Sequence, residues 1–315
     1  MESKKFFKNQ YYVIAIAIFC SVLWGSAFPV LKVSYEEIGL GADDFYGKIV
    51  FAGMRFFLAA IFLFIIIQWV IKIPLKVDKK TFFELFILGM FQTALQYFFF
   101  YNGLAHTTGI KGSILGSIGT FFVVLFAHYI YQDDRMDIKK VIGLITGFGG
   151  IIIANLGKGG GQAFTLSFSF VGEGFMILSG LVSAWGTILA KKLAKDIHPF
   201  VVTGWQMFLG AIAMLLFGVT GSKSWMAFSF TPKAWILFIY SALLSAVAFA
   251  LWYGLLKYNK AGEITLYRFM TPVSGSLLSA IFIPGETFTV GLLWGIILVS
   301  VGFLAVNGRK NNLKV

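Results

Sequence analysis

Ten stretches of the chain are apolar for long enough to cross a bilayer, and short polar connections separate them. They run over about 12–31, 49–71, 82–105, 109–131, 138–156, 172–191, 199–219, 233–256, 262–283 and 289–307. Each comes close to the roughly 20 residues that an α-helix needs for a hydrocarbon core of about 30 Å. In the first, YYVIAIAIFCSVLWGSAFPVLK (12–33), no charge occurs before Lys32. Backbone polar groups inside a bilayer must be satisfied within the segment, so each stretch is expected to be helical. The pattern predicts an all-α integral membrane protein with ten transmembrane helices. The apolar run behind the basic MESKKFFKNQ is too long for a signal-peptide core, so the first span is expected to be retained.

Composition strengthens this and charge orients it. The chain is 58% hydrophobic and only 13% charged, where a soluble domain carries about 25% charged residues. The net charge of +12 would suggest nucleic acid in a soluble protein, but here it resolves into loops. With the N-terminus inside, eighteen Lys and Arg fall on the inner side and six on the outer, while Arg55 and Arg268 lie within spans. That bias predicts a multi-pass protein with both termini cytoplasmic and no nucleic-acid partner. Cys20 is the only cysteine, which excludes an internal disulfide and a cysteine-built metal site.

The chain is also a repeat. AGMRFFLAAI (52–61) aligns with TGWQMFLGAI (203–212) at an offset of 151, and Tyr101-Asn102-Gly103-Leu104 with Trp252-Tyr253-Gly254-Leu255 at the same offset. Gly143, Gly150 and Asn155 answer Gly295, Gly302 and Asn307 at 152, and Trp24-Gly25-Ser26 answers Trp185-Gly186-Thr187 at 161. The first half thus holds about ten extra residues in EEIGLGADDFYG (36–47). Five spans per copy is an odd number, so the second copy enters the membrane inverted. Inverted repeats build carriers whose site lies near the midplane between the copies. The expected units are 1–156 and 157–315, joined through the glycine-rich GKGGGQ (157–162).

Candidate chemistry lies on the polar positions within the spans. Around Trp24, a glycine, a hydroxyl and Pro29 are expected to weaken the helix and free backbone groups for a ligand. Trp24 and Trp185 lie too deep in their spans for an interfacial belt. Gln92 and Gln96, four apart, share one face with Thr93, Tyr97 and Tyr101. Tyr240, Ser241, Ser245 and Trp252 form another face, and Tyr267, Thr271 and Ser274 a third beside Arg268. The substrate-binding candidates are Trp24, Gln92, Gln96, Tyr101, Trp185, Trp252, Tyr267 and Arg268. The aromatic faces suit an apolar moiety, and Arg268 or Lys111 a carboxylate. Arg55 reads as structural, a tie between bundles or a side chain snorkelling to the interface. The four-residue glycine spacings in the fifth and tenth spans read as close helix packing, within the chain or between copies.

Other chemistries are not expected. His106, His128 and His198 lack partners at metal-ligand spacing, so no metal or other cofactor is predicted. No phosphate-binding loop of the G-x4-G-K-[ST] type occurs. Every Glu near a span falls at its end, which favours facilitated or weakly coupled transport over strict proton antiport. The partners expected are a small-molecule substrate and the lipid bilayer, with monomer and homodimer both open.

Trp24-Gly25-Ser26 with Phe28 and Pro29, Arg55-Phe56-Phe57-Leu58-Ala59-Ala60, Thr271-Pro272 and Glu286, on a five-plus-five plan, together resemble the drug/metabolite transporter superfamily. The branch they resemble is the EamA-like ten-helix exporters. That resemblance implies alternating access by two inverted five-helix bundles, around a cavity lined by spans one, three, four, six, eight and nine. It further implies a non-enzymatic exporter of small amphipathic metabolites, amino acids or related compounds, in a bacterial plasma (inner) membrane. The sequence departs from symmetry at Gln206, which stands where the first copy has Arg55. An integral-membrane enzyme or a structural membrane subunit is the alternative class.

Overall fold

The computed structural model describes residues 7–41, 43–106, 112, 115–156, 168–221, 226, 228–283 and 288–307. Lys111, GKGGGQ (157–162) and Glu286 lie outside the described residues. Every expected span is helical where described. We label them α1 (Gln10–Glu37), α2 (Phe45–Ile65, continued by a π-helical stretch Ile66–Ile71), α3 (Lys79–Gly89, a π-helical Met90–Leu95, then Gln96–Ala105), α4 (Ile118–Ile130) and α5 (Ile138–Leu156). The second half supplies α6 (Phe175–Asp196, entered through a π-helical Phe170–Gly174), α7 (Pro199–Gly221), α8 (Pro232–Tyr258), α9 (Ala261–Thr265, a 3-10 stretch Leu266–Phe269, then Met270–Phe282) and α10 (Val290–Asn307). Six of these are long and apolar enough by themselves to cross a membrane, and α4 and the described part of α10 are shorter apolar helices.

Helix pairing follows the repeat. α2 packs on its counterpart α7, and α5 on its counterpart α10. α1 packs on α8 and α9, while α6 packs on α3 and α4. Each half therefore completes the other, and the main core runs through both: Phe56, Ala59 and Leu63 of α2 share one buried cluster with Met207 and Ala211 of α7 and Tyr253 of α8.

Glycine sets how closely the helices approach. At Gly150 a Cβ would come within 2.9 Å of the Gly295 carbonyl oxygen, and at Gly291 within 2.6 Å of the Ile153 carbonyl oxygen. The glycine spacings of the fifth and tenth spans thus seat α5 against α10 inside one chain. Gly25 does the same for α1 and α9, where a Cβ would meet the Gly275 nitrogen and the Thr271 carbonyl oxygen at 2.8 Å.

Two features differ from expectation. α1 runs without a break through Gly25, Ser26 and Pro29. Ser26 Oγ donates to the Leu23 carbonyl and hydrogen-bonds Tyr240, so this motif serves helix contact. The breaks lie instead in α3 and α9. The 3-10 stretch at 266–269 maps at offset 151 onto 115–118, where Ser117 caps α4. The interruption is thus common to both halves, although sequence patterning gave no sign of it. Within the extra stretch, Ile38 and Leu40 are buried against Phe51, Ala234 and Phe238.

Candidate functional site

The polar residues of several spans converge on one largely buried region between the halves, the candidate substrate chamber. Side chains lean toward the N-terminus of their own helix, so Trp24 of α1 and Trp252 of antiparallel α8 reach toward each other. Their rings meet edge to face at 5.2 Å, and Trp24 meets Phe249 likewise at 5.3 Å. The Arg268 guanidinium lies over Trp24, 5.4 Å from the ring centroid. The 3-10 turn carries Arg268 on α9, and the Tyr267 carbonyl in that turn accepts a hydrogen bond from Ser21 Oγ at 3.0 Å. A neighbouring helix thus satisfies a break in the backbone at membrane depth.

From Arg268 the wall passes to α3. Arg268 and Tyr253 lie within electrostatic reach of Tyr97. Tyr97 packs on Phe56 at 4.9 Å and on Tyr101 at 5.8 Å. The Arg55 guanidinium stands 4.4 Å from the centre of Phe56 and 5.9 Å from that of Tyr97. Tyr35 of α1 lies beside Tyr101 and Arg55. On the far side Tyr253 donates to Gln206 Oε1 at 3.1 Å, and Gln206 Nε2 donates to Thr93 Oγ1. Gln92 Nε2 donates to Gln96 Oε1 at 3.2 Å. The chamber is therefore walled by α1, α2, α3, α7, α8 and α9. The expected α6 and α4 stand to one side of it.

Its defining property is incomplete hydrogen bonding. Trp24 Nε1, Tyr35 Oη, Arg55 Nε, Gln92 Oε1, Tyr101 Oη and Thr271 Oγ1 are all buried without a hydrogen-bond partner. Such groups are rare in native proteins, and each costs about 1–3 kcal/mol where nothing meets it. Gln92 Oε1 lies against Gly186 of α6, whereas Trp24 Nε1, Tyr35 Oη, Arg55 Nε and Tyr101 Oη belong to the aromatic and arginine wall, where a polar ligand would satisfy them.

Of the sequence candidates, Trp24, Trp252, Tyr101 and Arg268 line this chamber, with Gln92 and Gln96 at its α3 wall. Tyr267 is buried beside it. Trp185 stands apart. It is 48% exposed and packs on Phe126 at 4.8 Å. With Ile87, Phe91, Tyr131, Ile188 and Lys192 it lines an open apolar groove of about 420 Å³ between α3, α4 and α6. The repeat counterparts of Trp252 and Phe249 are Tyr101 and Phe98, and neither ring stacks on Trp185. Arg55 is 2% exposed, so it does not snorkel. Glu263, the local candidate for Arg268, pairs with Lys260 at 3.6 Å. His106 is exposed and its Nδ1 lies 2.9 Å from the Asn102 carbonyl, a surface position. Among the described residues no group of His, Cys, Asp or Glu could hold a metal ion.

Tyr35 and Tyr253 were not among the candidates, and Arg55 was read as structural. One signal was available: Arg55 has no acidic residue within four positions on either side, so no helix neighbour could neutralise it.

An all-helical membrane protein with two interlocked inverted halves and a polar chamber between them has the architecture of a secondary carrier. The chain belongs to the EamA-like transporter family, whose profile matches residues 12–156 and again 170–308. It is similar to the uncharacterized transporter YvbV of Bacillus subtilis, 24% identical over 302 residues covering 94% of this chain and 92% of that protein. An uncharacterized transporter of Archaeoglobus fulgidus is 23% identical over 305 residues, 96% of this chain and 100% of the relative. A solved crystal structure superposes with a TM-score of 0.75 at 15% identity, covering 94% of this chain and 98% of that one, a likeness of fold.

Proposed function

We propose that this transporter exports small amphipathic metabolites, amino acids or related carboxylates, by alternating access between its two halves. The observation that carries this is an asymmetry between equivalent tryptophans: Trp24 is covered by Trp252, Phe249 and Arg268, whereas Trp185 faces an open groove. In an inverted repeat, exchange of the two environments converts one access state into the other. The solute's apolar part packs on Trp24 and Trp252, Tyr101 and the Gln92–Gln96 pair supply polar contacts, and Arg268 takes a carboxylate through its planar fork. Tyr267 positions that fork, and Trp185 enters the chamber in the opposite state. The lysine-rich face, with both termini, is cytoplasmic, in a bacterial plasma membrane.

Solute flux in proteoliposomes tests this. Saturable movement of a carboxylate-bearing metabolite, lost in Arg268→Gln and weakened in Arg268→Lys, is expected. Wild-type rates in a folded Arg268→Gln protein would remove Arg268 from the site.

A further inference from the structure

Arg55 and Arg268 are two of only four arginines in the chain, and both stand on Tyr97's side of the chamber. Among the described residues neither guanidinium forms an ion pair, and Arg55 has Tyr97 as its polar neighbour. Arg55 rests on the faces of Phe56 and Tyr97, and Arg268 on that of Trp24. Tyr97 lies within electrostatic reach of both. The carboxylates that form ion pairs among the described residues are Glu37, Glu84, Asp134 and Glu263, all at helix ends or in a connection. Arg55 is buried and Arg268 half-buried; ring faces offset only part of the cost of such cations, about 2.5–3.5 kcal/mol each at membrane depth when unpaired. A structural arginine at this depth is expected to be tied to carbonyls or a carboxylate. These two rest on rings, and Arg55 Nε has no hydrogen-bond partner.

The chamber thus carries two positive charges, and no carboxylate among the described residues adjoins them. A zwitterion would neutralise one guanidinium and bring an ammonium that meets no negative group. A monocarboxylate would leave one cation unmatched. A solute with two anionic ends matches both. The surrounding unpartnered groups are donors of the same sense: Trp24 Nε1, Tyr35 Oη, Tyr101 Oη and Arg55 Nε itself.

We infer that the physiological substrate is a small dianion, a short-chain dicarboxylate, one end bound by Arg268 and the other by Arg55 with Tyr97 between them. This rests on the carrier reading above and narrows its substrate class. Arg55 is then a specificity residue: it recognises the second charge, whereas Arg268 recognises the first.

The test separates binding from flux. Full-length protein in detergent is heated with succinate, glutarate, butyrate, leucine, glycerol 3-phosphate or chloride, and reconstituted protein is assayed for uptake of the same labelled solutes. Succinate or glutarate should raise the melting temperature and exchange about tenfold faster than butyrate or leucine, the worth of one charge-assisted contact. Arg55→Gln should cut dicarboxylate uptake about tenfold more than butyrate uptake, abolishing the preference; Arg55→Lys should restore part of it. Arg268→Gln should depress both. Preference for butyrate or leucine in the wild type overturns the inference and leaves the carrier reading standing. Stabilisation by chloride alone, or by glycerol 3-phosphate far above succinate, also overturns it. Succinate binding without flux of any solute overturns the carrier reading instead. Should Arg55→Gln fail to fold, the wild-type selectivity decides.

Discussion

Asp134, in the connection between α4 and α5, accepts the backbone N–H of Gly262 in the first turn of α9 at 2.8 Å. A residue of the first half thereby closes the start of a helix in the second. The same carboxylate holds Lys140 at 2.6 Å with both side chains almost wholly buried, and Lys140 also donates to the Arg135 carbonyl. Breaking such a pair leaves a buried charge uncompensated, which costs about 3–5 kcal/mol. Asp134→Ala should therefore lower the melting temperature sharply. Asp134→Ala combined with Lys140→Met should recover much of the loss. A double variant no more stable than the single one would show that the Gly262 contact, and not the charge, dominates.

Gly25 and Gly186 are repeat equivalents with different neighbours. A methyl at Gly25 runs into the α9 backbone at Gly275 and Thr271, whereas at Gly186 it meets only the side chain of Gln92. Overpacking against fixed backbone costs about 1–3 kcal/mol. Gly25→Ala should lose stability in that range with no second-site remedy at Gln92. Gly186→Ala should lose less, and Gln92→Ala should relieve it. Equal losses that Gln92→Ala leaves unchanged would contradict this distinction.

Trp24 is the joint between the aromatic wall and the Arg268 cation. Replacing it by Phe keeps a face for the guanidinium, and Ala does not. Contacts of this kind contribute about 0.5–2 kcal/mol, so Trp24→Ala should cut flux several-fold more than Trp24→Phe, at similar folded yield. Equal flux in the two variants would make the ring mere packing.

Orientation can be read at Gly41, an exposed position in the segment between α1 and α2. Cys20 is buried and free, so Gly41→Cys in a Cys20→Ser background presents one accessible thiol. Labelling of intact cells by an impermeant reagent is expected. Labelling only after permeabilisation would reverse the assignment of the lysine-rich face.

The spans and the inverted repeat could be read from the sequence, because bilayer thickness fixes segment length and a constant offset of 151 survives in matching spans; the helix pairings could not. Position along the segment was equally informative for Trp24 and Trp252, which meet because antiparallel helices lean their rings toward one another. Local composition misled at Gly25 and Pro29: a glycine and a proline that would weaken an isolated helix are tolerated in α1, where α9 packs directly on its backbone. The interruptions at 90–95 and 266–269 involve no proline and leave no trace in hydropathy. They depend on partners far away in sequence, such as Ser21 for the Tyr267 carbonyl. For Arg55, distance along α2 left snorkelling open as one of two structural readings, and its burial against Phe56 and Tyr97 removes that one.

The two chamber arginines come from different halves at unrelated positions: Arg55 answers to Gln206, and Arg268 to Ser117. Rotation about the axis relating the halves therefore exchanges each cation with a neutral side chain. The helix pairing is the same viewed from either membrane face, but the pattern of charge is not. A solute that turned end over end within the chamber would meet glutamine and serine where the guanidiniums had been. Two copies of either half, assembled as a twin, could rebuild the scaffold but not this pattern of charge. Divergence of the halves has given a symmetric machine a fixed direction of address.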